Sequence, residues 1–184
     1  PMGGCKVTVQ MEPVDLENLD QVGFLAYAND RARNTTGPDM RFPPELADVM
    51  KEHFSLHITG GPGGPLGPTG TPTAHGAHMA VKQGARFLFG SDSLKGKKIA
   101  VQGLGAVGFP LAGDYIRDGA ELIVCDMDPG AVKQLKEAHP GASITVVEPS
   151  AILDAEADIF SPCAVGGVLH EGNIPKLKFK MVMG

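Results

Sequence analysis

The chain has 184 residues, of which 42% are hydrophobic and 20% charged, and its formal net charge is −5. This composition is typical of an ordinary globular protein, and the negative charge argues against a nucleic acid or an anionic membrane surface as partner. We expect no membrane span and no signal peptide, because no apolar run reaches the roughly 18–20 residues that a span requires and no basic-then-apolar segment opens the chain.

The first part of the chain predicts a few regular elements and then a long irregular loop. We expect a strand over residues 6–11, an amphipathic helix over 13–33 and a short helix over 44–53, which begins with a proline. Ten of the fourteen residues from 59 to 72 are glycine or proline, which indicates a linker or a binding loop. A helix over residues 73–89 follows this loop.

The second part of the chain alternates strands with helices. Apolar runs predict strands over residues 97–102, 122–125, 143–147, 159–160 and 179–183. Helices are expected after the Gly-x-Gly-x-x-Gly motif, over 129–137 and over 150–155. Such alternation implies an α/β fold with a parallel sheet and right-handed crossover connections.

The most informative motif lies where the first of these strands runs into a helix. It is a Gly-x-Gly-x-x-Gly run made of Gly103, Leu104, Gly105, Ala106, Val107 and Gly108. The first glycine permits a tight turn, the second lets the backbone approach a pyrophosphate, and the third lets helix and strand pack closely. The free N–H groups at the helix start then favour a phosphate. The motif predicts a dinucleotide site, and a purely structural glycine turn is the alternative.

Asp126 predicts which dinucleotide binds. It ends the second strand of this unit, 23 residues after Gly103, where an acidic side chain can hydrogen-bond both hydroxyls of the adenosine ribose. Its charge would repel a 2′-phosphate. We therefore expect NAD as the cofactor, and NADP less so.

Two charged residues of the first part have both a catalytic and an ordinary interpretation. Lys6 follows a Gly-Gly-Cys segment, and a lysine desolvated at a cleft wall can lose its proton and act as a base. Asp39 follows Gly37 and Pro38 in an apparent turn. Taken separately, an exposed spectator lysine and a turn-capping aspartate are the more common cases.

Taken together, the motifs of this chain occur in a recognisable order. They are residues 1–6, residues 37–39, the 64–76 loop, the strand–turn–helix unit and residues 158–167. Over nearly the whole chain this order resembles the glutamate/leucine/phenylalanine/valine dehydrogenase superfamily. The resemblance implies an α/β fold class, with a Rossmann-type doubly wound parallel sheet preceded by the end of an α/β substrate domain. It assigns residues 1–60 to the C-terminal part of the substrate domain, 61–90 to the Gly/Pro loop and a hinge helix, and 91–184 to a C-terminally truncated NAD-binding domain.

The resemblance also implies roles for individual residues. Lys6 ends the run that matches the family's catalytic lysine, and Asp39, 33 residues later, matches the catalytic aspartate. Thr73 matches a threonine near nicotinamide and substrate. Cys163 and Ala164 match a loop whose backbone lies against the nicotinamide ribose. The chain departs from the family at Cys5, where a glycine is usual, and in the segment that follows Asp39.

The function implied is NAD-dependent oxidative deamination of an L-amino acid to a 2-oxo acid and ammonia. The small Gly37, two positions before Asp39, leaves room for a bulky side chain and favours a branched-chain or aromatic substrate. A non-catalytic dinucleotide-binding fragment or paralogue of the same family is the alternative, which the Cys5 departure favours. Another NAD oxidoreductase that shares only the strand–turn–helix unit is a third possibility, but it leaves Lys6 and the aspartate unexplained.

The remaining expectations concern metals, location and assembly. We expect no metal site, because the histidines at 53, 57, 75 and 78 lack a His-Glu-x-x-His pattern. The three cysteines are dispersed and odd in number, which favours a reducing cytoplasm over a disulfide framework. We also expect a fragment that lacks both ends of the family's sequence, from a protein that is a homo-oligomer at full length and acts on a small amino-acid substrate.

Overall fold

The structure is a computed structural model that describes residues 8–39, 42–55, 57–59, 61 and 67–184. Its chain divides between Thr69 and Gly70 into two units, each with its own hydrophobic core. The division of the chain into substrate domain, hinge segment and cofactor domain stays a prediction.

The first unit is built from two helices, α1 (Leu19–Arg31) and α2 (Pro44–His53). Their buried faces meet in one cluster, formed by Val22, Ala26, Leu46, Ala47, Met50 and Ile58. Helix α2 has the predicted bounds, because Pro44 supplies a fixed φ at the first helical position.

Two expectations for the first unit are wrong. Helix α1 begins six residues later than predicted, because the Asn18 side chain accepts a hydrogen bond from the Gln21 N–H and so caps the helix there. It ends before Arg33, whose φ of 51° is incompatible with a helix. The strand expected over residues 6–11 is not formed by its described part, residues 8–11, since no described segment pairs with it.

The second unit is built on one parallel sheet, as predicted. Its strands are β1 (Lys98–Gln102), β2 (Glu121–Cys125), β3 (Ile144–Val146), β4 (Ile159–Pro162) and β5 (Met181–Val182). The strand order is β3-β2-β1-β4-β5, and every neighbouring pair is parallel. The chain moves outward from β1 to β3, returns across the sheet, and continues on the other side of β1. This order confirms the predicted α/β Rossmann-type sheet.

Both faces of the sheet are covered. Helices α3 (Gly70–Phe89), α4 (Gly108–Arg117) and α5 (Pro129–Ala138) contribute side chains to the core on one face. A 3₁₀-helix, Pro149–Asp154, and the segment before β5 cover the other, where the rings of Phe160 and Phe179 stack with centroids 5.0 Å apart. Alternate strand residues face the two cores, as the pleat of a strand requires.

The bounds of some elements differ from expectation by a few residues. Helix α3 begins at Gly70 rather than at residue 73, and β5 is limited to Met181–Val182 at the edge of the sheet. Among the described residues, we find no helix with the length and apolar character needed to cross a membrane.

Candidate cofactor-binding site

The turn after β1 depends on the first glycine of the predicted motif. Gly103 has φ of 87°, a left-handed backbone conformation that residues other than glycine rarely adopt. Its N–H donates to the Cys125 carbonyl across 2.9 Å, which continues the β1–β2 ladder into the turn. A Cβ at Gly103 would lie 3.0 Å from the backbone N of Ala164. The turn therefore lies directly against the loop that follows β4.

The third glycine is required by the packing of α4 on this turn. A Cβ at Gly108 would lie 1.9 Å from the Gly103 carbonyl oxygen and 3.0 Å from Cβ of Cys163. The start of α3 also packs closely against the turn, because a Cβ at Gly70 would lie 2.2 Å from the Ala106 carbonyl oxygen. Two helix starts and the β4 loop thus meet at the glycine turn.

The second glycine differs from both of these. A Cβ built at Gly105 meets no described atom within 4 Å, so this position faces open space. No described side chain caps the start of α4, whose N-cap residue is Val107. The first N–H groups of a helix have no intrahelical partner and carry the positive end of its dipole. The open space beside Gly105 therefore borders backbone donors suited to an anion.

Asp126 lies beside the turn and is already hydrogen-bonded. One of its carboxylate oxygens accepts from the Leu104 N–H at 2.5 Å, and the other from the Asp128 N–H at 2.7 Å. The side chain is half-buried at the end of β2. Asp126 thus holds the glycine turn in place, a role that sequence reasoning missed. Only the hydrogen bond from Asp128 had a local signal, because aspartates often accept from the backbone N–H two residues on.

The loop after β4 contributes Cys163 and Ala164. The Cys163 N–H donates to the Gln102 carbonyl at 2.8 Å, so this loop continues the β1–β4 pairing. Burial raises the pKa of the Cys163 thiol to about 11. At neutral pH the sulfur is therefore a protonated thiol, which makes it a poor nucleophile.

The site lies where the strand order reverses. The chain goes from β1 to one side through α4 and reaches β4 on the other side, so the carboxyl ends of β1 and β4 flank the position at which open parallel sheets bind ligands in a crevice. Gln102, the last residue of β1, has a buried Oε1 atom without a hydrogen-bond partner among the described residues. A polar side chain at the end of an apolar strand was the signal for this residue, which sequence reasoning also missed.

The other predicted site residues lie elsewhere or outside the described residues. Thr73 is exposed on α3, three residues after Gly70. Asp39 is exposed in the first unit and forms an isolated antiparallel bridge with Phe42, in which the Asp39 N–H donates to the Phe42 carbonyl at 3.1 Å and the Phe42 N–H to the Asp39 carbonyl at 2.9 Å. Lys6 lies outside the described residues. The catalytic pairing of Lys6 with Asp39 stays a prediction.

Gly37 has a structural reason to be small. A Cβ at this position would lie 2.6 Å from the Thr59 carbonyl oxygen, beside the bridge between Thr36 and Ile58. Close backbone packing explains the glycine, so its size gives no information about the substrate side chain.

Comparison with known proteins finds leucine and phenylalanine dehydrogenases as relatives. No protein-family model matches the chain. Leucine dehydrogenase of Geobacillus stearothermophilus is 42% identical over 189 aligned residues, covering 100% of this chain and 50% of that protein. Phenylalanine dehydrogenase of Lysinibacillus sphaericus is 44% identical over 115 residues, covering 61% of this chain and 30% of that protein.

Solved structures agree with this result. The L-tryptophan dehydrogenase from Nostoc punctiforme superposes with a TM-score of 0.68 and 29% identity, covering 93% of this chain and 48% of that one. The hetero-hexameric glutamate dehydrogenase from Thermus thermophilus, at 19% identity and a TM-score of 0.67, shares the fold and covers 92% of this chain and 47% of that one. The chain spans about half the length of the leucine dehydrogenases that it matches. The chain is homologous to leucine and phenylalanine dehydrogenases, as the order of its motifs predicted.

Proposed function

We propose that the protein oxidatively deaminates an L-amino acid to a 2-oxo acid and ammonia, with NAD as the hydride acceptor. The observation that carries this proposal is the open space beside Gly105, bordered by the uncapped start of α4, in a chain homologous to leucine dehydrogenases. The similarity over all of this chain indicates the reaction class, and the glycine turn indicates where the cofactor would bind.

The residues at the turn fit a dinucleotide. The space beside Gly105 admits a pyrophosphate close to the backbone, and the N–H groups at the start of α4 offer it donors. The close contacts at Gly103 and Gly108 hold these donors in fixed positions. Such preorganisation lowers the conformational cost of binding.

The carboxylate of Asp126 supports NAD rather than NADP. It lies at the end of β2, the position from which an acidic group contacts the adenosine ribose in dinucleotide-binding folds. Its two oxygens each accept one backbone hydrogen bond, and each retains acceptor capacity for a ribose hydroxyl. A 2′-phosphate at this position would face a fixed negative charge that its binding would have to overcome.

The nicotinamide half of the cofactor is assigned to Thr73, Cys163 and Ala164. The contact between the Gly103 turn and the 163–164 loop supports this assignment, because the loop borders the same crevice. The neutral Cys163 thiol offers a small packing surface without a competing charge. Bound there, NAD supplies the acceptor for the hydride that leaves the substrate Cα.

The protein's own groups handle water and protons. In this proposal the neutral Lys6 amine removes a proton from a water molecule, which attacks the imine carbon left after hydride loss. Asp39 carries protons at the substrate nitrogen. Both roles follow from the resemblance to the family and from the general requirements of acid–base catalysis.

The substrate side chain is proposed to be branched-chain or aromatic. This rests on relatives named leucine and phenylalanine dehydrogenase and on the tryptophan dehydrogenase fold, and no longer on Gly37. We further propose that the full-length protein is a cytoplasmic homo-oligomer, on the grounds of its family and of its dispersed cysteines.

The test is a pair of measurements on the full-length protein. Isothermal titration measures NAD affinity, and NADH absorbance follows turnover with L-leucine, L-valine and L-phenylalanine. Lys6→Ala should remove most turnover and leave NAD affinity unchanged. If Lys6→Ala kept more than about a tenth of the activity, a loss of only ~1.4 kcal/mol of barrier, Lys6 would not be the base.

A second result separates this function from the non-catalytic alternative. NAD binding without oxidation of any of these amino acids would favour a dinucleotide-binding paralogue, in line with the Cys5 departure. In that case, Cys5→Gly, which restores the usual family residue, should oxidise amino acids if the cysteine at position 5 had caused the loss of activity. Absence of NAD binding would contradict both interpretations.

A further inference from the structure

We propose that His75 and His78 on α3, together with Asp114 on α4, form a binding site for one divalent transition-metal ion of the zinc class. One ligand atom from each residue lies within 4.8 Å of the other two. This metal site lies between α3 and α4, and the proposal does not depend on the cofactor site.

The two histidines share one face of α3. Residues three apart on a helix are neighbours on its surface, and the two rings have centroids 6.5 Å apart. His78 is 12% exposed and also meets Tyr115 edge-on, with centroids 6.0 Å apart. His75 is exposed, so one ligand is preset by packing and the other is free to rotate onto an ion.

The hydrogen bonding of His78 directs its second nitrogen at the site. Its Nε2 lies 2.8 Å from Oδ2 of Asp118, which also accepts from the Lys82 ammonium at 3.2 Å. An ionised carboxylate only accepts, so Nε2 carries a hydrogen, and Nδ1, the nitrogen that faces Asp114, is the one left to bind an ion. A carboxylate that holds the far nitrogen of a histidine is the usual outer partner of a metal-binding imidazole.

The carboxylate of Asp114 is arranged in a corresponding way. The Arg117 guanidinium holds its Oδ1, while its Oδ2 lies 4.0 Å from Nδ1 of His78. Each of the two inner ligands therefore has one atom fixed by a charged partner and the other facing the same small space. The positive charges of Lys82 and Arg117 are each matched by a carboxylate.

The distances require only a small contraction. Zinc bonds of about 2.0–2.1 Å in tetrahedral geometry place ligand atoms roughly 3.3–3.4 Å apart. The 4.0 Å separation between His78 and Asp114 exceeds this by less than about 1 Å, and the 4.8 Å limit on the separations from His75 exceeds it by about 1.5 Å, which rotation of the exposed His75 side chain can supply. Two imidazoles and a carboxylate suit zinc, and three protein ligands leave a fourth position for water.

This site could not be inferred from histidine spacing. The sequence lacks a His-Glu-x-x-His pattern, and Asp114 follows His78 by 36 residues on a different helix. Only the packing of α3 beside α4 places the carboxylate against the imidazoles. A bound ion would tie the two helices together, and we expect zinc to raise the melting temperature of the protein.

The experiment is a zinc titration of chelator-treated protein by calorimetry. Wild type should bind about one equivalent, and His75→Gln should weaken binding at least about tenfold, as expected for the loss of a ligand or its support. His53→Gln is the matched control, because His53 is also exposed on a helix and lies beside a carboxylate, with Nε2 3.9 Å from Oε2 of Glu52. Its affinity should equal that of wild type.

Cobalt supplies a second measurement on the same proteins. The wild-type Co²⁺ complex should show the strong visible absorption of low coordination, and His75→Gln should lose it. Asp118→Asn should weaken zinc binding about ten- to a hundredfold at unchanged stoichiometry. Equal melting temperatures of zinc-free wild type and His75→Gln show that the variant is folded. No zinc binding by wild type, or binding weakened equally by His53→Gln, would overturn the proposal.

Discussion

Gly105→Ala should separate cofactor binding from folding. The new methyl group meets no described atom within 4 Å, and Gly105 is not among the glycines at positive φ. The substitution should leave the free energy of unfolding unchanged or raise it by about 0.4–1 kcal/mol, because it restricts the unfolded chain. The same methyl group occupies the space proposed for the pyrophosphate.

The expected loss of affinity follows from the hydrogen bonds at the start of α4. A phosphate displaced by a methyl group gives up at least one bond from a backbone N–H to a charged oxygen. Such a bond contributes about 1.5–3 kcal/mol, so the Kd for NAD should rise roughly ten- to 150-fold. Calorimetric titration with NAD measures this change, and thermal unfolding without NAD measures stability.

Gly108→Ala is the matched comparison. Its methyl group would lie 1.9 Å from the Gly103 carbonyl oxygen, and that backbone atom cannot move without disturbing the turn. Forced overpacking of this kind costs about 1–3 kcal/mol, so the melting temperature should fall by several degrees. Unchanged NAD affinity in Gly105→Ala, or unchanged stability in Gly108→Ala, would refute this account of the turn.

Three further predictions test other contacts of the second unit. Asp126→Asn keeps an acceptor for the turn but removes the charge. In titrations, the ratio of NADP affinity to NAD affinity should therefore be several-fold higher in the variant than in wild type. Burial opposes ionisation of Asp158, but hydrogen bonds from Lys180 and the Lys98 N–H outweigh it and lower the pKa. Its stabilisation is therefore complete above the unfolded pKa of about 3.9 and lost as pH falls through the folded pKa. Asp158→Asn should cost about 0.5–1 kcal/mol in denaturant unfolding at pH 7, and the difference should vanish in acid. Ser161→Ala should cost about 1–3 kcal/mol in the same assay, because it leaves the buried Tyr115 hydroxyl without its 2.8 Å partner.

The sheet was predictable because each of its strands is recognisable from the local sequence. Each is a short apolar run between turn residues, and the alternation with helices determines a parallel arrangement. Helix starts were less predictable, since the side chain of Asn18, rather than the apolar spacing, decides where α1 begins. A strand, unlike a helix, needs a neighbour, and this is why the alternation of residues 8–11 did not suffice.

The candidate site was predictable only where its chemistry is local. The three glycines and Asp126 are recognisable from spacing, and each lies beside the turn after β1. The contact of this turn with Cys163 depends on β1 pairing with β4, which no local pattern encodes. The same holds for the imidazoles of α3 and the carboxylates of α4.

The proposed function assigns cofactor binding and amino-acid chemistry to different parts of this chain. The glycine turn, Asp126 and the 163–164 loop all belong to the unit that starts at Gly70, which packs both faces of its own sheet. Lys6 and Asp39 belong to the first 69 residues. Variants of the turn should therefore change the Kd for NAD, whereas variants of the proposed catalytic pair should change kcat at constant Kd. A protein that had lost its chemistry while keeping the glycine turn would still bind NAD, so turnover, and not cofactor binding, is the measurement that distinguishes a dehydrogenase from a paralogue.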